Sequence, residues 1–262
     1  MNKWCLITGA STGIGKDLSN IFAINGYNLI LVARNQEKLN KLKNELLAIN
    51  TIKIETVSID LSESNSAQKL KDIVDDFNIN IHTLINNAGV GLAGEFNSLN
   101  YLKSQAMLNL NMITLSDLCH LFSSDMIKDK SGQILNVAST AAFQPGPYMT
   151  AYYASKSFVL NYTQGIRFEL NRFNINVTCL CPGATKTDFF KNESFSNSKL
   201  SKIPFMSTST DVANAAFKGL CSNKAVVVPG LLNKLTRLTS IFTPVFFSNS
   251  IVSKLNYTII KK

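Results

Sequence analysis

The feature that most constrains this chain is its alternation of short apolar runs with longer stretches of helical spacing. The runs are WCLIT (4–8), NLILVA (28–33), IKIETV (52–57), IHTLI (81–85), QILNVA (133–138), INVTCLC (175–181) and AVVV (225–228). Between them, residues 14–25, 36–49, 64–77, 100–128, 152–172 and 210–221 carry the period of helices. Strands that face water on one side alternate apolar with polar, whereas strands covered by helices on both faces read as apolar runs, as NLILVA and AVVV do. The pattern predicts an α/β fold built on a doubly wound, seven-stranded parallel sheet flanked by helices. A chain of 262 residues can bury one sufficient core without disulfides or metals, so a single domain is expected over 1–229, with 230–262 as a basic extension of it.

Charge is unevenly spread. The net charge is +9, yet residues 1–211 hold every one of the 17 acids, and the last 51 residues carry seven Lys or Arg and none. A basic tail beside a nearly balanced body points to a local anionic partner such as lipid or an acidic protein, and away from nucleic acid. The five cysteines include no CxxC pair, and neither His82 nor His120 has a second ligand at metal spacing, so no metal site is expected. The opening MNKWCLITG reaches a glycine turn without the apolar region of a signal peptide, and no apolar run approaches the roughly 18 residues of a spanning helix. The expectation is a cytoplasmic protein, with membrane association through the tail left open.

In a doubly wound sheet, ligands bind beyond the carboxyl ends of the strands. There this chain places Gly9 to Gly15, Arg34, Asp60, Asn86 to Gly89, Ser139 and Pro182-Gly183. The first turn, Thr8-Gly9-Ala10-Ser11-Thr12-Gly13-Ile14-Gly15, runs from a strand into a helix. Its glycines let the backbone approach a pyrophosphate, which the helix N-terminus attracts. Alone, such a turn is equally compatible with simple turn chemistry.

TGxxxGIG at 8–15, Asp60, NNAG at 86–89, Asn111, Ser139, Tyr152 with Lys156 as YxxxK, and PGxxxT at 182–187 occur in order, and together they resemble the short-chain dehydrogenase/reductase family over about residues 3–228. The resemblance implies a Rossmann-type fold, a nicotinamide dinucleotide cofactor and often a homodimer or homotetramer. It implies cofactor contacts from Gly9, Ser11, Thr12, Gly13, Ile14, Gly15, Asn87, Ala88 and Gly89. Asp60 would meet the adenine edge, unless it only caps the next helix. Pro182 and Gly183 would turn the chain beneath the nicotinamide, and Thr187 would meet its carboxamide.

An acid at the end of the second strand would repel a 2′-phosphate. This chain has Ala33 followed by Arg34, whose planar fork suits phosphate oxygens. NADP(H) is therefore expected over NAD(H), the alternative being that Arg34 is a solvated residue opening the next helix. For the proton, Tyr152 is the candidate acid and base, with Lys156 one helical turn on, lowering the phenol's pKa and holding the nicotinamide ribose. By resemblance Ser139 stabilises the substrate oxygen and Asn111 holds a relay water, with Asn109 as its competitor. These assignments imply a carbonyl reductase or secondary alcohol dehydrogenase acting on a small-molecule apolar ketone, aldehyde or 3-oxoacyl-type substrate. The rival reading is a catalytically silent NADP(H)-binding regulator or membrane-surface scaffold.

Family resemblance also implies a substrate lid over about 188–209, where Phe189, Phe190, Phe195, Phe205 and Met206 could cover an apolar ligand. Phe143, Pro145, Pro147, Tyr148 and Met149 suggest an apolar opposite wall. In the tail, Leu231, Leu232, Leu235, Leu238 and Phe242 form a helical stripe interrupted by Pro244. That stripe packs on its own body or a partner subunit, or else lies on a membrane surface.

Overall fold

The computed structural model describes residues 3–191 and 206–260. All seven expected strands pair in one wholly parallel sheet: β1 (Trp4–Thr8), β2 (Asn28–Ala33), β3 (Ile54–Ser58), β4 (Ile81–Asn86), β5 (Gly132–Val137), β6 (Ile175–Leu180) and β9 (Val226–Val227), in the order β3-β2-β1-β4-β5-β6-β9. The winding reverses between β1 and β4, so the ends of these two strands border the crevice where ligands of such folds bind.

Alternation of side chains along each strand divides the core into two layers. Cys5 and Ile7 of β1 with Leu29 and Leu31 of β2 meet α1 (Gly13–Ile24), α2 (Gln36–Leu47) and α7 (Ser209–Cys221). Leu6, Ile30 and Val32 face the other way, toward α3 (Ser66–Asp76), α5 (Leu115–Asp129) and α6 (Thr150–Leu170). Every residue of β2 is buried, which is why that run shows no polar alternation.

The stretch expected as one helix over 100–128 is three pieces: α4 (Tyr101–Leu108), a π-helical turn (Asn109–Thr114) and α5. Two further short strands, β7 (Thr185–Lys186) and β8 (Ser207–Thr208), pair in parallel. The chain expected as a lid leaves β7 and enters β8. Its Phe195 and Phe205 lie outside the described residues, as does the side chain of Phe190. The tail forms α8 (Leu231–Phe242) and, after Pro244, α9 (Val245–Ile260), a helix that the sequence reading left out. The stripe of α8 does not pack on the body: Leu231, Leu232, Leu235, Leu238 and Phe242 are all exposed.

Candidate active site

The glycine turn is fastened to the end of β4. Thr8 Oγ1 accepts hydrogen bonds from the backbone N–H groups of Asn87 and Ala88, each at 3.0 Å, and Asn87 Nδ2 donates to the carbonyls of Thr8 at 2.9 Å and Gly9 at 3.2 Å. Gly9 sits at φ +64° and Gly13 at φ +53°, where other residues are strained. A Cβ on Gly13 would lie 3.0 Å from Thr187 Cγ2, so Thr187 rests directly on the turn.

This turn fits the phosphates of a dinucleotide. Thr12 stands at the N-cap of α1 yet its side chain makes no capping bond, and the first turn carries no acid. The first N–H groups of α1 thus face outward without side-chain acceptors, an arrangement that attracts an anion. Beside it runs a cavity of about 310 Å³ lined by Ser11, Thr12, Gly13 and the three lysines Lys16, Lys38 and Lys41, with Glu45 and Asp188. Lys16 is paired with Glu45 at 2.8 Å. Lys41 was not singled out from sequence, because only the fold brings α2 alongside the turn, and Lys16, in the first turn of α1, has no local mark that sets it apart.

Arg34 is exposed at the end of β2, with its guanidinium 3.8 Å from Asp60 Oδ2. Asp60 Oδ1 accepts from the N–H and hydroxyl of Ser62. Burial works against the Asp60 charge, but the Ser62 hydrogen bonds and Arg34 prevail and hold the carboxyl below its ordinary range. The N-cap of α3 is Asn65, so Asp60 does not cap that helix.

At the ends of β5 and β6, Ser139 Oγ accepts from Ala141 N at 3.1 Å and donates to the Pro182 carbonyl at 3.4 Å. Helix α6 passes these strand ends and carries Tyr152 and Lys156. The Lys156 ammonium is buried, donates to the Val137 carbonyl at 2.9 Å and lies 5.8 Å from the centroid of the Tyr152 ring. Phe189 packs on Tyr152 at 5.7 Å, so this expected lid residue covers the tyrosine itself. Tyr153 turns away, occupying the space that a Cβ on Gly146 would need.

Burial dominates both titrating groups. Burial pushes the Tyr152 phenol up to about 12, with the Ser139 hydroxyl pulling it down and Tyr153 adding to the rise. Burial also lowers Lys156 to about 8.

Asn111 lies in the π turn, fully buried. Its Oδ1 accepts from Val90 N at 3.1 Å, and its Nδ2 donates to the Val90 carbonyl at 3.0 Å and to Ser155 Oγ at 3.1 Å. Ser155 in turn donates to the Tyr152 carbonyl at 2.7 Å. Asn109, the competitor, faces elsewhere and donates to the Ser62 carbonyl. A Cβ on Gly89 would come within 3.3 Å of Lys156 Nζ and 3.2 Å of Asn111 Oδ1, so that glycine keeps the two close. Ser155 belongs to no motif visible in the sequence. Its one available signal was a serine three residues after Tyr152, on the same helix face.

The model of the short chain dehydrogenase family matches residues 3–197. Among curated proteins, a very-long-chain 3-oxoacyl-CoA reductase of Coccidioides immitis is 35% identical over 180 residues, covering 67% of this chain but only 51% of that relative. A short-chain dehydrogenase from Sphingobium yanoikuyae in complex with NADPH is similar in structure with a TM-score of 0.83 and 28% identity, covering 92% of this chain and 93% of its own. A bulky-bulky ketone specific alcohol dehydrogenase from Comamonas testosteroni follows at 0.78 and 28%, with the same coverage. This chain belongs to the short-chain dehydrogenase family. It is an oxidoreductase with a Rossmann-type fold.

Proposed function

We propose that this chain is an NADPH-dependent carbonyl reductase, reversible as a secondary alcohol dehydrogenase, acting on an apolar ketone, aldehyde or 3-oxoacyl-type substrate. One observation carries the reading: Ser139, Tyr152, Lys156 and Asn111 converge at the strand ends next to an uncapped glycine-rich helix start. The NADPH of the Sphingobium protein, the ketone specificity of the Comamonas protein and the acyl substrate of the Coccidioides protein support it.

Gly9, Ser11, Thr12, Gly13, Ile14 and Gly15 would hold the pyrophosphate, Arg34 the 2′-phosphate and Asp60 the adenine edge. Asn87, Ala88, Gly89, Pro182, Gly183 and Thr187 would seat the nicotinamide half. When bound, the nicotinamide supplies the hydride in reduction and, oxidised, a positive charge beside the phenol. Ser139 Oγ–H donates to the substrate oxygen and stabilises charge developing there. Tyr152 is held protonated by burial, which is the form that reduction needs. The alkoxide forming on the substrate is a stronger base than this phenolate and takes its proton. Lys156 holds the ribose and, with Asn111 behind it, returns the proton to the phenol. Homodimers or homotetramers in the cytoplasm complete the family expectation.

The reading is tested by following NADPH consumption by the purified chain across ketones of graded apolar size. Turnover that rises with apolar bulk supports it, and binding of NADPH with no turnover on any carbonyl would remove it.

A further inference from the structure

Helices α8 and α9 are amphipathic in the wrong sense for packing on their own body. The stripe of α8, from Leu231 to Phe242, is 55–82% exposed. The face turned to the protein is polar: Asn233 fills the space that a Cβ on Gly183 would need, and the Arg237 guanidinium lies 5.4 Å from the centroid of the Phe143 ring. Helix α9 repeats the inversion. Phe246, Phe247, Ile251 and Leu255 are 58–76% exposed, whereas Ser248, Val252 and Asn256, four residues apart, are buried. Ser248 Oγ and Asn249 Oδ1 are buried and find no hydrogen-bond partner among the described residues. A helix at a protein surface in water turns its apolar stripe inward, and buried polar atoms without partners oppose folding. Both helices are built for apolar surroundings on their outer side.

Charge selects what covers them. Residues 230–262 contain Lys234, Arg237, Lys254, Lys261 and Lys262 and no Asp or Glu. A second copy on this face would set Lys234 and Lys254 against their own counterparts, which disfavours a self-association of that kind. Anionic lipid is attracted by the same charges. No helix among the described residues is long and apolar enough to cross a membrane, so the pair would lie along the surface of a bilayer.

We propose that α8 and α9 form a docking surface for an anionic lipid bilayer, with their exposed stripes among the acyl chains and Lys234 and Lys254 at the headgroups. The surface adjoins the candidate substrate wall. Asn256 donates to the Pro147 carbonyl at 2.9 Å, the Tyr257 ring lies 5.3 Å from that of Tyr148, and Arg237 covers Phe143. These three partners belong to the segment between Ser139 and Tyr152. Resting on the carbonyl-reductase reading, docking would open the active site toward the lipid phase, from which a carbonyl on an acyl chain could enter.

Flotation of the full chain with vesicles tests this, using phosphatidylcholine and phosphatidylglycerol in equal parts against phosphatidylcholine alone. We expect binding to the anionic vesicles to be about tenfold stronger and to weaken with salt. Leu235→Ser/Phe246→Ser/Ile251→Ser should lower it about tenfold, and Lys234→Glu/Lys254→Glu should abolish the preference for phosphatidylglycerol. All five side chains are exposed, so an unchanged Tm accompanies the loss. Absence of flotation with anionic vesicles, or equal flotation of the triple-serine variant, overturns the proposal. So does a wild-type dimer that the triple-serine variant converts to monomer, since a second copy would then cover the face. A chain that floats but reduces no carbonyl supports the docking surface and removes the reductase reading, whereas one that reduces ketones without floating does the reverse.

Discussion

Asn111 Nδ2 donates to Ser155 Oγ across 3.1 Å, tying the π turn to the helix that carries Tyr152 and Lys156. With its two bonds to Val90, the amide joins three segments that are distant in sequence. Asn111→Leu keeps the volume but removes all three bonds and leaves buried polar groups unpaired. It should cost roughly 1–3 kcal/mol of stability. A urea titration measures this, and kcat for ketone reduction should fall with it by about tenfold or more as Tyr152 loses its support.

Gly15 tolerates no side chain. A Cβ there would overlap the Gly9 carbonyl oxygen and crowd Asn87 Nδ2, forcing the phosphate turn open. Gly15→Ala should weaken NADPH binding by about tenfold or more, read by fluorescence titration, with Tyr152 and Lys156 undisturbed.

Arg34→Asp would replace the cation facing Asp60 with a second carboxylate. NADPH affinity should drop by about tenfold or more and NADH affinity far less, because only NADPH carries the 2′-phosphate. Titrating both cofactors measures the ratio. An unchanged ratio would show that the phosphate is read elsewhere, with Lys16, Lys38 and Lys41 as the cations that line the cavity beside the turn.

Burial lowers Lys156 from 10.5 to about 8. Between those values the unfolded chain binds more protons at this site than the folded one, so this site's contribution to stability rises with pH across the window and is at its minimum below about 8. The slope is at most about 1.4 kcal/mol per pH unit. Urea midpoints of the wild type minus those of Lys156→Met should therefore climb between pH 8 and 10.5. A flat difference would mean that the ammonium is solvated.

β2 was legible because helices bury both of its faces and leave a run with no polar interruption after Asn28, whereas the edge strand β3 buries only Ile54 and Val57. The glycine turn, Ser139 and YxxxK could be placed because strand ends are marked by local residues. What stayed hidden depends on contacts across the fold. The π turn at Asn109–Thr114 has no local composition of its own and is held by the bonds of Asn111 to Val90 and Ser155. The stripe of α8 was visible as a stripe, but its direction was not, since periodicity fixes which residues share a face and says nothing of where that face points.

In the proposed mechanism Tyr152 delivers the proton while cofactor binding depends on other residues. Stopped-flow measurement of NADPH binding and single-turnover ketone reduction by Tyr152→Phe tests this directly. Binding should stay within about twofold of wild type while the reduction rate falls by about 10² or more. Reduction at the wild-type rate with the phenol hydroxyl removed would contradict it.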